Sequence, residues 1–224
     1  MMHNAAGVND KKQPLSTSAD VALVHLIDDD ALMLDTVGMI LDSVGIVHKD
    51  YVNADAFLNA YPKDAFSTMA GCVVCDIRMP GISGMECQRI LNQYESVLPV
   101  IFMTGFADVR MAVDAMHEGA FDFVEKPFRD QTLIDTVQRA LTHNAEVLQK
   151  RQSEQKVREA LSTLSPREKD VMTLMLDGLP NKKISTTLNI SLRTVEVHRA
   201  HVLEKMAARN VTELVKMVLS VSSD

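Results

Sequence analysis

The sequence predicts an α/β protein in which a doubly wound parallel sheet is joined by a helical linker to an all-α domain of four helices. Five short apolar runs alternate with segments of helical spacing over the first part of the chain, a (βα)5 pattern. Near-continuous apolar strands of this kind are typical of parallel sheets that are covered on both faces. After residue 160, every periodic segment has helical spacing.

The distribution of charge supports two domains with different partners. The net charge of −7 argues against a protein that only binds nucleic acid. Residues 1–142, however, carry ten more acidic than basic side chains, whereas residues 161–224 carry two more basic than acidic ones. An acidic first part and a mildly basic last part therefore predict two separate functions.

The elements of the first domain follow from these runs. Residues 1–20 are polar and are predicted to form a disordered tail, so the domain is assigned to residues 21–142. The strands are predicted at 21–27, 46–52, 72–76, 99–103 and 121–125. The helices are predicted at 31–44, 54–59, 83–93 and 107–118, and from 131 to beyond 141. Ser83 is the expected N-cap of the third helix.

The second half of the chain is predicted to be helical throughout. Residues 143–160 are polar helix formers without Gly or Pro, which indicates a helical linker. The domain at 161–224 begins with Ser165-Pro166-Arg167-Glu168, a helix start with an N-cap serine, proline at the first position and glutamate at the third. Two further helices, at 181–188 and 191–206, are joined by a short turn, which is helix-turn-helix spacing.

Composition excludes several protein classes. No apolar run approaches the roughly 20 residues that span a bilayer, and no secretory segment is present, so we expect a cytoplasmic protein without membrane contact. The three cysteines include a CxxC at Cys72 and Cys75. Positions i and i+3 of a strand point to opposite faces, so we interpret this pair as structural rather than as a zinc or redox site.

Polar side chains stand where the predicted strands end. Asp28 and Asp29 follow the first strand, Asp76 ends the third, and Thr104 and Lys126 follow the fourth and fifth. Ligands of parallel doubly wound sheets bind outside the carboxyl ends of the strands. Clustered carboxylates there predict a Mg²⁺ site, and the cation would let the Asp76 carboxylate attack phosphorus.

Two of these residues are suited to hold the phosphoryl group. The Thr104 hydroxyl and the Lys126 ammonium can each bind one phosphoryl oxygen. A Lys126–Pro127 peptide bond in the cis form would fix the direction of the lysine.

The motifs together resemble a known family. Ile27-Asp28-Asp29-Asp30, the run from Asp76 to Gly81, Thr104-Gly105 and Lys126-Pro127-Phe128 resemble the receiver domain of two-component response regulators. Residues 165–206 resemble the LuxR-type helix-turn-helix. The combination is similar to the FixJ branch of the NarL/FixJ family, and the resemblance covers residues 20 to 221.

The resemblance implies a non-enzymatic, phosphorylation-activated regulator of transcription. It implies that a sensor histidine kinase phosphorylates Asp76. It implies that Asp29 and Asp76 ligate Mg²⁺ directly, Asp28 through water and Arg78 through its carbonyl. Thr104 and Phe123 would form a switch pair. The face formed by the helix at 107–118 and the fifth strand would form a homodimer after phosphorylation, and RNA polymerase would be a further partner.

Two positions near the pocket are predicted to tune dephosphorylation. Arg78 lies two residues after Asp76, and Phe106 lies two residues after Thr104. An apolar side chain at 106 cannot orient a hydrolytic water, so we expect slow self-dephosphorylation of Asp76. The phosphoryl half-life of a Phe106→His variant would check this.

The helix at 191–206 is predicted to read DNA. Val195, Val202 and Met206 fall on one arc and should face the core. The opposite arc and its flanks should enter the major groove with Arg193, Glu196, Val197, Ala200, His201 and Glu204. Arg193 suits guanine, Glu196 suits cytosine, and Val197 or Ala200 suits a thymine methyl group. The residues predicted to contact phosphates are Lys182, Lys183, Thr194, Arg199 and Lys205.

Two other functions remain open at this point. A haloacid-dehalogenase-like phosphatase also uses an Asp nucleophile with Mg²⁺, but it needs Asp-x-Asp, and here Ile77-Arg78 follow Asp76. The other alternative is a signal-independent DNA-binding regulator with a vestigial receiver.

The small positive charge of residues 161–224 favours control by dimerisation, because a monomer would neutralise few phosphates.

Overall fold

The computed structural model describes residues 22–105 and 116–221. The chain divides into two compact units after Ala145. This division lies three residues beyond the boundary that the sequence suggests at residue 142.

A five-stranded parallel sheet forms the first unit and confirms the predicted fold class. Its strands are β1 (Leu23–Ile27), β2 (His48–Tyr51), β3 (Gly71–Asp76), β4 (Val100–Gly105) and β5 (Asp122–Lys126). They lie in the order β2-β1-β3-β4-β5. All four strand pairs are parallel. Every strand therefore ends at the same edge of the sheet.

Helices cover both faces of this sheet. They are α1 (Ala31–Ser43), α2 (Ala54–Asn59), α3 (Gly84–Gln93) and α4 (Asp130–Ser162), with a 3-10 helix at Lys63–Ser67. Buried residues of α1 and α4 share one core cluster, and those of α2 and α3 share the other. The predicted helix at 107–118 falls largely outside the described residues. Ser83 caps α3 as predicted, accepting from Glu86 N.

Alternation along β3 explains the CxxC motif. Cys72 belongs to the cluster under α1 and α4, whereas Cys75 belongs to the cluster under α2 and α3. Both thiols and Cys87 are free and buried. Burial raises the pKa of Cys72 and of Cys87 to about 12. The two cysteines therefore lie on opposite faces of the sheet, as predicted.

Strand β1 places a histidine in a buried aromatic cluster. The His25 ring lies with its centroid 5.0 Å from that of Phe57 and 5.5 Å from that of Tyr61. Its Nδ1 is 3.4 Å from the Tyr51 hydroxyl, and its Nε2 has no hydrogen-bond partner among the residues that the structure describes. Burial, and then the charge of Lys49, lowers the pKa of His25 to about 4.

The low pKa predicts a loss of stability in mild acid. The unfolded chain, with a His25 pKa near 6.5, takes up the proton before the folded chain does. The contribution of this neutral histidine is thus intact above pH ~6.5 and is lost as the pH falls toward ~4. We expect the free energy of unfolding to fall by about 2 kcal/mol between pH ~7.5 and ~5 through this group.

Urea unfolding of the native protein and of a His25→Phe variant would check this. The variant keeps an aromatic ring but has no titratable group at this position. The difference in unfolding free energy between the two proteins should therefore change by about 2 kcal/mol between pH ~7.5 and ~5. Asp28, whose pKa burial raises, titrates in both and cancels. Parallel pH profiles for the two proteins would contradict the prediction.

One buried side chain of α4 binds the opposite edge of the sheet. Asn144 Oδ1 accepts from Gly71 N at 2.9 Å, and Asn144 Nδ2 donates to the carbonyls of Val97 at 2.8 Å and Met69 at 3.3 Å. The helix is therefore fixed to the segments that enter β3 and β4. This contact lies two residues beyond the predicted end of the domain.

The second unit contains the rest of α4 followed by α5 (Pro166–Leu176), α6 (Asn181–Leu188), α7 (Leu192–Lys205) and α8 (Val211–Val221). Ser165 and Glu168 form the predicted capping box at the start of α5. Asn189, with a φ of 52°, ends α6 in the left-handed conformation and makes the turn toward α7. No helix among the described residues is both long and apolar enough to cross a membrane.

Candidate functional site

Three charged side chains meet at the carboxyl edge of the sheet. Lys126, at the end of β5, donates from Nζ to Asp76 Oδ1 at 2.6 Å and to Asp28 Oδ2 at 3.0 Å. The strand order makes β1 and β3 neighbours and separates β5 from β3 by β4 alone. A side chain as long as lysine spans that gap, so the predicted convergence of these three residues is what the structure has.

Backbone donors hold the second oxygen of each carboxylate. Asp30 N donates to Asp28 Oδ1 at 2.9 Å, and Arg78 N donates to Asp76 Oδ2 at 2.7 Å. Asp28 is buried, whereas the side chain of Asp76 keeps 16% of its surface exposed. Asp76 is thus held in one orientation and remains partly exposed.

The electrostatics of the pocket favour an additional cation. Burial raises the pKa of Asp28, although hydrogen bonds from Asp30 and Lys126 oppose the shift. Burial lowers the pKa of Lys126, but its hydrogen bonds to the two carboxylates outweigh this effect, so the net shift is upward. One ammonium faces two carboxylates, so the three side chains carry a net charge of −1 when all of them are ionised.

The donor set fits Mg²⁺. Within residues 22–105 and 116–221, no three Asp, Glu, His or Cys side chains are grouped as a ready metal cage. Mg²⁺ does not need one, because it is usually held by one or two carboxylates and keeps several waters. The oxygens of Asp28 and Asp76 meet that requirement. Direct ligation by Asp29, Asp76 and the Arg78 carbonyl, and ligation by Asp28 through water, stay predictions.

The predicted switch residues lie on the neighbouring strands. Thr104 is buried in β4, and its Oγ1 donates to Gly105 O at 3.2 Å. Phe123 lies on β5, paired in register with Phe102, and is 37% exposed. The Lys126–Pro127 bond is cis. Phe106 lies outside the described residues.

Sequence reasoning missed Gly84, the first residue of α3. Gly84 N donates to Ile77 O at 3.1 Å, which brings the start of the helix against the end of β3. A Cβ at this position would clash with the Asp76 carbonyl oxygen. The Ser83-Gly84 pair after Asp76 was the available signal, but only the fold shows how closely the backbones approach.

Most of the residues that are predicted to contact DNA are exposed on the helix-turn-helix. Val195, Val202 and Met206 are buried, as the helical wheel predicts. The exposed positions of α6 and α7 include Lys182, Lys183, Arg193, Glu196, Val197, Ala200 and His201, and Thr194 and Arg199 are half-buried. The Thr194 hydroxyl lies 2.7 Å from that of Ser191, so it also takes part in the cap of α7.

Lys205 has a different position from the one expected of a phosphate contact. Its Nζ donates to Glu168 Oε2 at 2.7 Å and to Thr163 O at 3.3 Å. Its ammonium is therefore paired with the start of α5, although 38% of the side chain is exposed. The helical wheel could not show this, because the partner lies 37 residues earlier in the chain.

Two family models match the two halves of the chain. Residues 24–138 match the response regulator receiver domain, and residues 162–218 match the luxR family of bacterial regulatory proteins.

Individual relatives match nearly the whole chain. The transcriptional regulatory protein FixJ of Bradyrhizobium diazoefficiens is 40% identical over 196 residues, which is 88% of this chain and 94% of FixJ. The C4-dicarboxylate transport transcriptional regulatory protein DctR of Rhodobacter capsulatus is 41% identical, over 87% of this chain and 98% of DctR.

Solved structures give the same result. The response regulator StyR superposes with a TM-score of 0.80 at 35% identity, covering 88% of this chain and 98% of StyR. Full-length FixJ from B. japonicum superposes with a TM-score of 0.54 at 39% identity, covering 89% of this chain and 97% of FixJ. The chain belongs to the two-component response regulators that join a receiver domain to a LuxR-type DNA-binding domain.

Proposed function

We propose that Asp76 accepts a phosphoryl group from a sensor histidine kinase and that this controls DNA binding by the second domain. The observation that carries the proposal is the Asp76 carboxylate, oriented by Arg78 N and by Lys126 Nζ at the open edge of the sheet. One of its oxygens attacks phosphorus, the bond from phosphorus to the donor breaks, and an acyl phosphate forms.

The surrounding side chains would stabilise the transferred group. Lys126 can exchange its bond to Asp76 for a bond to a phosphoryl oxygen, because its side chain is partly exposed. Asp28 remains its buried counter-ion at 3.0 Å. Mg²⁺ held directly by Asp29 and Asp76, and by Asp28 through water, would offset negative charge on the phosphoryl oxygens. The same residues support a working receiver over a vestigial one.

The switch would use the two neighbouring strands. Thr104 Oγ1 now bonds a backbone carbonyl, and a phosphoryl oxygen at Asp76 offers a stronger, charged acceptor. If the hydroxyl turns toward it, the exposed Phe123 ring can move into the space that is released. We propose that this change promotes homodimerisation of the receiver.

Dimerisation would in turn make DNA binding efficient. The basic excess of residues 161–224 is only two charges, so one copy neutralises few phosphates. Two copies on a two-fold symmetric site double the contacts and gain from the high effective concentration of the second domain. RNA polymerase is the further partner that we propose for the DNA-bound dimer.

Acetyl phosphate with Mg²⁺ tests the first step. The full-length protein should take up about one phosphoryl group per chain, a chelator should prevent this, and the labelled protein should bind DNA more tightly. Borohydride reduction followed by mass spectrometry would locate the acyl phosphate. A protein that stays unlabelled under these conditions would overturn the proposal.

A further inference from the structure

An ion pair of the second unit connects the start of α5 with the end of α7, and in it the Glu168 side chain is buried whereas 38% of the Lys205 side chain is exposed. Glu168 Oε2 accepts from Lys205 Nζ at 2.7 Å and from Ser165 N at 2.8 Å. Its other oxygen, Oε1, lies 3.5 Å from His201 Nδ1. Only 6% of the Glu168 side chain is exposed. The hydrogen bond from Lys205, followed by that from Ser165 N, lowers the pKa of Glu168 to about 2.

We propose that Glu168 and Lys205 are positioning residues that set the orientation of α7, the helix predicted to read DNA, and that Lys205 is not a phosphate contact. The inference rests on the proposed DNA-binding function. The surface predicted to contact bases is formed by Arg193, Glu196, Val197 and Ala200. Glu168 and Lys205 are not part of this surface, and their proposed role is to control its orientation.

The ion pair lies at one end of α7, so a change there can displace the base-contacting residues near the other end. Lys205 ends α7, and Arg193 lies twelve residues earlier, about 18 Å along the helix axis. A tilt of about 5° around the Lys205 end moves the other end by about 1.5 Å at this length. Hydrogen bonds to bases tolerate only a few tenths of an ångström, so a shift of this size would break them.

The other contacts of α7 do not fix this tilt as well. Val195, Val202 and Met206 anchor the helix through apolar packing, which is largely non-directional. The ion pair is directional, and Thr163 O adds a second acceptor for Lys205 at 3.3 Å. Ion pairs with a solvent-exposed partner contribute little net stability, and 38% of the Lys205 side chain is exposed, so a role in fixing geometry accounts for this pair better than a role in stability.

The test compares Lys205→Met with Lys182→Met in the full-length, phosphorylated protein. Lys182 is an exposed lysine of α6 that is also predicted to contact a phosphate. Each of the two variants therefore removes one positive charge from a predicted phosphate contact. Affinity is measured as a function of salt on two duplexes, one that the native protein selects from a random pool and one of unrelated sequence.

The two roles give different results. Lys182→Met should weaken binding to both duplexes alike and reduce the slope of log K against log salt by about one. Lys205→Met should keep the native slope and lose affinity only for the selected duplex, by about tenfold, the equivalent of one lost base contact. A slope reduced by about one, with equal losses on both duplexes, would overturn the inference.

Glu168→Gln provides an independent arm if Lys205→Met fails to fold. Glutamine preserves the capping box, so α5 should still start at Pro166. The substitution removes a negative charge, which by itself would tighten DNA binding. Positioning predicts the opposite, a several-fold loss on the selected duplex alone. Unchanged or tighter binding there would overturn the inference, whereas a native protein that binds no duplex would refute the proposed function instead.

Discussion

Asp76→Asn is expected to abolish labelling by acetyl phosphate. The carboxamide keeps the shape of the side chain and can still accept from Arg78 N, but it has no anionic oxygen to attack phosphorus. Lys126 keeps its bond to Asp28, so the pocket should remain folded. The loss of label should therefore be complete, and unfolding would not explain it.

The gain in DNA affinity on acetyl phosphate treatment should disappear with the label. Asp35→Asn, at an exposed position of α1, makes the same charge change away from the pocket and serves as the matched control. It should label and bind as the native protein does. Label that persists in Asp76→Asn would place the phosphoacceptor on another residue and remove the mechanism proposed for this one.

Asn144→Leu is expected to lower the unfolding free energy of the receiver unit by about 3 kcal/mol, because this substitution by a side chain of similar size removes three hydrogen bonds, two of them buried. Leucine leaves Gly71 N without its acceptor and two carbonyls without their donor. Each unsatisfied buried group costs about 1–3 kcal/mol, partly relieved by relaxation.

Tyrosine fluorescence in urea would measure this loss selectively. The chain has no tryptophan, and all three tyrosines, Tyr51, Tyr61 and Tyr94, belong to the first unit. Thr142→Ala, two residues earlier on α4, removes an exposed hydroxyl that bonds only its own helix and should change stability by less than about 0.5 kcal/mol. Equal midpoints for the two variants would contradict the importance of Asn144.

The sheet and its pocket could be predicted because their signals are local. Each buried strand is a short apolar run, and the rule that ligands bind at carboxyl ends places Asp28, Asp76 and Lys126 together before any distance is known. The structure adds that Lys126 joins two carboxylates 50 and 98 residues away. Pattern alone does not specify such a bond.

The contacts that sequence reasoning did not predict involve partners far away in the chain. Asn144 looks like one more polar residue of a helical linker, and its role appears only where α4 meets the segments before β3 and β4. Lys205 looks like a basic residue of a DNA-reading helix, and its direction depends on Glu168 in another helix. In both cases helical periodicity gives the face of the helix but does not give what lies opposite it.

Because Cys72, Cys75 and Cys87 are buried, the rate at which a reagent modifies them can measure how often the receiver opens. These are the only cysteines in the sequence, and all three are buried thiols of the first unit. A thiol reagent can react only when the receiver transiently exposes its core, because the thiolate is the reactive form and burial suppresses it. The rate of modification therefore reports the frequency of opening, and a cysteine introduced on α7 could be labelled alone.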